Sequence, residues 1–171
     1  ISVYPPVLKA IEAADAIFIG PGDLFTSIIP NLIVPGVTKA LQETRAKIFY
    51  IVNIMTKYGE TQNYTGADFV TGLEQRLERN IDGVIANNTM PPDKILDVYR
   101  EQKSEFVSID MTDPFWSGRC IHLTDILDTG AGIARHDPEK LAVIIQDIVK
   151  SIPTPIDEET EVPEKGVIED H

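Results

Sequence analysis

A single cysteine, Cys120, stands in 171 residues. It excludes an intrachain disulfide and a zinc cage built of several thiolates, and it suits a reducing cytoplasm. Basic residues are scarce as well. Fifteen lysines and arginines face 27 acids, for a formal charge of −12, so neither a nucleic-acid backbone nor an anionic membrane is an expected partner. No apolar run approaches the roughly 20 residues needed to cross a bilayer, and the beginning lacks the basic and apolar regions of a secretory signal. These absences predict a soluble, cytoplasmic protein. His122, His136 and His171 show no HExxH spacing and no cysteine set beside them, so no metal site is expected from them. Neither a GxSxG elbow nor a GxxxxGK[ST] phosphate loop occurs, and Cys120 with His122, two residues apart, does not make a nucleophile dyad.

The acids are unevenly spread. Residues 156–171, IDEETEVPEKGVIEDH, hold seven of them against one lysine. That composition, with prolines at 153, 155 and 163 and few large apolar side chains, predicts a solvated, disordered tail over 151–171 behind a folded region over 1–150. The chain opens at Ile1 rather than at methionine; the expectation is either a trimmed numbering or a piece of a longer product.

Within 1–150 the apolar pattern alternates between two periods. AIFIG (16–20), KIFYIVN (47–53), DGVIAN (82–87) and EFVSID (105–110) are short runs apolar on both faces, as strands of a sheet covered on both sides must be. Between them lie amphipathic stretches. Residues 65–79 put Phe69, Val70, Leu73 and Leu77 on one stripe behind Thr65 as a cap. Residues 92–102 carry Ile95, Leu96 and Val98. Residues 138–150 start from Asp137 and Pro138 and offer Leu141, Ile144, Ile145 and Ile148. The expected fold is α/β: a three-layer αβα arrangement around a Rossmann-like, mostly parallel sheet.

In such sheets ligands bind beyond the carboxyl ends of the strands, which directs attention to four loops. In FIGPGDLFTSIIPN (18–31), Gly20 and Gly22 let the backbone turn and approach a ligand, and Pro21 fixes the turn. Asp23, Thr26 and Ser27 follow where a short helix begins, able to donate to phosphate or sugar oxygens, and Pro30 is expected to stop that helix before Asn31. The alternative is a plain strand-to-helix connection with Asp23 as cap. The second loop, 53–68, is long and polar, gathering Asn53, Thr56, Gly59, Glu60, Thr61 and Tyr64. The third begins at Asn87 and Asn88, two amides able to donate and accept at a base or sugar edge or simply to make a turn. The fourth, 110–120, offers Asp110, Asp113 and Arg119, residues that commonly cap and solvate.

Taken together, ADAIFIGPGDLFTSIIPNLIVPG, YIVNIMTKYGETQNYTGADFV, IDGVIANN and ARHDPEKLA resemble the C-terminal half of the gluconeogenesis factor (YvcK-type) proteins. These share a superfamily with 2-phospho-L-lactate transferase (CofD). The resemblance covers roughly residues 1–150. It implies a nucleotide-sugar-binding regulatory protein, for a ligand such as UDP-N-acetylglucosamine, acting on carbon metabolism and cell shape. The enzymatic alternative it implies is phospholactyl transfer from a guanosine donor to the deazaflavin Fo, and only that alternative brings magnesium as a cofactor. A third possibility is an interaction fragment that binds no small molecule. The resemblance further implies that Gly20, Gly22, Thr26, Ser27 and Asn31 line a ligand cleft, with Asn53, Met55 and Thr56 beside them. Tyr99, expected just before the fourth strand, and Arg135 would reach the nucleotide, the arginine as a cation for phosphate. The family's first strand and its Gly-Gly-Gly-Thr-Gly loop have no equivalent here, so the N-terminal half or a second copy is the expected macromolecular partner.

Overall fold

Successive residues of a strand turn to opposite sides, and in Lys47–Ile51 (β2) both sides are apolar. In the computed structural model, which describes residues 3–153, Ile48 and Tyr50 enter one apolar layer while Phe49 and Ile51 enter another. β2 lies between Ala16–Ile19 (β1) and Gly83–Asn87 (β3), and Ile121–Thr124 (β4) closes the far side; all pairings are parallel, in the order β1-β2-β3-β4. The two inner strands are buried, whereas β1 and β4, at the edges, are half-buried throughout.

The first layer packs β2 and β3 against a π-helical turn at Leu24–Ile28, the short helices Ile29–Leu32 (α2) and Val37–Glu43 (α3), and Gly66–Leu77 (α4), with Pro5–Ala13 (α1) at its margin. α4 begins with a capping box: Thr65 Oγ1 accepts from the Asp68 amide, and the Asp68 carboxylate accepts from the Thr65 amide. The second layer is Pro138–Ser151 (α6), capped by Asp137, which accepts from the amides of Glu139 and Lys140. Leu141 and Ile148 are buried there, and Ile144 and Ile145 are half-buried against them. This is the expected three-layer α/β fold with a parallel sheet.

A third apolar cluster sits beyond the carboxyl ends of the strands. Ile54 and Met55 meet Leu96 of Asp93–Glu101 (α5) and Leu127 of the hairpin Leu127–Asp128 (β5) and Arg135–His136 (β6). Val98 of α5 is exposed instead.

Several expectations are corrected. EFVSID does not form the fourth strand. It crosses the loop after β2, where Met55 and Phe106 make an antiparallel bridge and Thr56 N–H donates to the Glu105 carbonyl at 2.7 Å. The fourth strand is IHLT, whose polar His122 and Thr124 suit an edge that is only half-buried. Tyr99 consequently lies within α5 and not next to a strand. Pro30 does not stop the helix before Asn31: it is the second residue of α2, which continues to Leu32. Arg119 is not solvated, for both its terminal nitrogens bond the Glu74 carboxylate. Asp110 and Asp113 do serve as turn and cap acceptors. The acidic tail falls, past Pro153, outside the described residues.

Candidate functional site

β1 and β2 end side by side, and each is followed by a loop whose composition forbids it to continue the sheet. After β1, Gly20 takes φ +94° with its Cα hydrogen facing the Ile51 carbonyl, where a Cβ would stand 2.9 Å from the oxygen, and the Gly20–Pro21 peptide is cis. After β2, Asn53 to Lys57 pass under α5 and the hairpin. The space between these loops is a cleft of about 640 Å³. Gly22 and Asp23 form one wall, Asn53, Met55 and Thr56 the floor, and Tyr99 and Arg135 the opposite side.

Thus the fold gathers seven of the residues singled out in the sequence. The other five take different places. Gly20 shapes the turn behind the wall. Thr26 directs its hydroxyl to the Glu60 carboxylate at 3.2 Å. The Ser27 amide is used within the turn, on the Asp23 carbonyl, and its own carbonyl accepts from the Asn31 side chain at 2.6 Å. Asn87 is buried, donating to the Thr89 carbonyl and accepting from the Ile126 amide, so its amide fastens the loop after β3. Within the cleft, Thr56 accepts from the Glu105 amide and Tyr99 donates to the Ala134 carbonyl at 3.2 Å, which leaves them as shaped walls more than as free donors.

Two wall residues are not announced by the sequence. The first loop has no cation of its own, yet Lys57 from the second reaches across to Asp23 and also bonds Glu60 at 2.9 Å. Its hydrogen bonds to Asp23 and then Glu60 hold the ammonium above its ordinary pKa despite some desolvation. The second is His136. Its Nε2 lies 3.0 Å from the Val52 carbonyl, and since a carbonyl only accepts, Nε2 carries the hydrogen. Burial holds the imidazole below its ordinary pKa, against the opposing effect of that bond, so the ring is neutral near pH 7 and Nδ1 keeps its lone pair. The only signal for either is adjacency, Lys57 to Thr56 and His136 to Arg135.

Arg135 is exposed at the mouth and has no carboxylate partner among the described residues. The Asn53 Oδ1 atom is buried and accepts from nothing. Among the described residues no three His, Cys, Asp or Glu converge, and the two acids beside the loop, Asp23 and Glu60, both engage Lys57.

The family described as 2-phospho-L-lactate transferase CofD matches residues 1–127, a span that holds both the Gly-Pro-Gly wall and the Asn-Ile-Met-Thr floor. The chain belongs to the CofD family. Among its CofD-family relatives, a Thermotoga maritima protein carrying the gluconeogenesis factor name is 41% identical over 158 residues, covering 86% of this chain and 48% of that protein. The gluconeogenesis factor of Bacillus subtilis is 36% identical over 151 residues, covering 88% of this chain and 48% of the other. A Bacillus halodurans crystal structure, of the UPF0052 family, superposes with a TM-score of 0.80 at 30% identity, covering 85% of this chain and 47% of that one. The chain spans about half the length of these two curated relatives. No single helix among the described residues is long and apolar enough to cross a membrane.

Proposed function

We propose that the chain forms one side of a nucleotide-sugar site in a cytoplasmic regulatory protein of the gluconeogenesis factor type, acting on carbon metabolism and cell shape. The observation that carries this reading is Arg135. In a chain with 27 acids and 15 bases, a guanidinium at the mouth of a cleft with no acid partner among the described residues is a cation kept for an anion that is not protein. Phosphate oxygens are its natural complement. The other wall of the site is supplied by the remainder of the family's length or by a second copy; nucleic acid and membrane are not partners.

The transferase description of the family supports a second reading, phospholactyl transfer from a guanosine donor to Fo. Calorimetric titration of UDP-N-acetylglucosamine and of GDP, into this chain and into the protein at its natural length, separates the two. Selective binding of the UDP-sugar is expected. Arg135→Ala is expected to weaken it about tenfold or more, the loss of one charge-assisted contact, with an unchanged unfolding midpoint. Preference for GDP with turnover of Fo supports the transferase, and unchanged affinity in Arg135→Ala removes the residue from the site.

A further inference from the structure

Lys57 is shared between two carboxylates that hold it in different ways. Its ammonium lies 2.9 Å from Glu60, three residues along its own loop, and reaches Asp23 on the loop after β1. The Glu60 side chain is 15% exposed and also accepts from the Thr26 hydroxyl at 3.2 Å. Without Lys57 it would be a carboxylate withdrawn from water and left without a cation, which is costly. The Asp23 side chain is 35% exposed, and besides Lys57 only the Thr26 hydroxyl approaches it, at 3.5 Å. Water can replace the ammonium there at little cost. Asp23 and Lys57 line the cleft, whereas Glu60 does not. The bond that can be exchanged is therefore the one on the cleft side.

We propose that Lys57 is a second phosphate-binding group of the cleft, masked by Asp23, which stands where a ligand's phosphate would bind and yields the ammonium to it. This deepens the nucleotide-sugar reading and rests on it. An ammonium carries three donors on a flexible stem, so Lys57 keeps Glu60 and turns its remaining donors from one anion to another. A phosphate competes well for them, because it offers several oxygens and its charge-assisted bonds are strong. Asp23 is then released toward water, while Glu60 and Lys57 remain a neutral pair. The exchange also cuts a side-chain tie between the loop after β1 and the loop after β2, so filling the site loosens the very loops that form it. Asp23 thus acts as an internal competitor, and affinity for a phosphate-bearing ligand is held below what the two cations of the cleft could give.

The test is a double-mutant cycle read by calorimetry on the protein carrying this chain at its natural length, with UDP-N-acetylglucosamine and, separately, inorganic pyrophosphate as probes. The four proteins are the parent, Asp23→Asn, Lys57→Met and the double variant, each checked for folding by its urea midpoint. Lys57→Met is expected to weaken binding about fivefold or more. Asp23→Asn is expected to tighten it, and to do so about threefold more when Lys57 is present than in the Lys57→Met background, the worth of a half-exposed ion pair given up on binding. Simple repulsion between Asp23 and the ligand acts in both backgrounds and cancels from that comparison. Equal gains in the two backgrounds, to within about 1.5-fold, overturn the exchange, as does a Lys57→Met variant that binds as tightly as the parent. If the parent binds pyrophosphate but no UDP-sugar, the nucleotide-sugar reading fails alone and the pyrophosphate cycle decides the role of Lys57. A parent that binds neither probe overturns both.

Discussion

Two buried polar atoms lack a partner among the described residues, and they stand in opposite settings. Asn53 lines the cleft with its Oδ1 atom turned out of reach of it, while the Tyr50 hydroxyl lies in the core, wholly buried in the layer of Leu24, Phe69 and Leu73. Burial pushes the Tyr50 phenol well above its ordinary pKa, so it stays neutral, but it still loses the hydrogen bonds it had with water. Tyr50→Phe removes that unpaired group and almost no volume. The expected outcome is a gain of about 1 kcal/mol, read as a higher urea midpoint at unchanged slope; a lowered midpoint would show that the hydroxyl has a partner.

At the scale of elements, caps and loop chemistry matter more than helix length. α4 relies on its reciprocal pair of Thr65 and Asp68, and it carries Phe69, Val70, Leu73 and Leu77 into the main layer. Thr65→Ala is expected to cost about 1 kcal/mol, measurable by thermal unfolding, and Thr65→Ser to recover most of it. Such elements are legible in the sequence because their signals are local: the cap, the apolar stripe and the Asp137-Pro138 start of α6 lie within a few residues of one another. The fourth strand is not legible in this way. IHLT is short, polar at alternate positions and half-buried, while EFVSID has strand composition but is held to the Ile54–Thr56 segment by a pair of non-local bonds. The site divides along the same line. Gly22, Asn53 and Thr56 follow from the rule that strand ends carry ligands, whereas Lys57 and His136 acquire their roles from contacts with Asp23 and Val52, which are distant in sequence.

For the whole molecule, the decisive arrangement is that β2 and β3 send alternate residues into both apolar layers. Neither layer can come apart while the other keeps these strands in place. Trp116, the only tryptophan, is buried in the first layer, and α6 covers the second. Fluorescence of Trp116 and far-ultraviolet circular dichroism are therefore expected to give one common urea midpoint; two separated midpoints would mean that the layers melt independently.

The strand order β1-β2-β3-β4 also bears on where a ligand can be enclosed. In a doubly wound sheet the deepest crevice opens at the switch point, where successive crossovers change direction. Here every crossover advances the same way, so no reversal falls between the described strands. The outer edge of β1 is the place where a strand running back in the opposite order would create one, and Gly20–Asp23, at the end of that strand, would then form the near lip of the crevice.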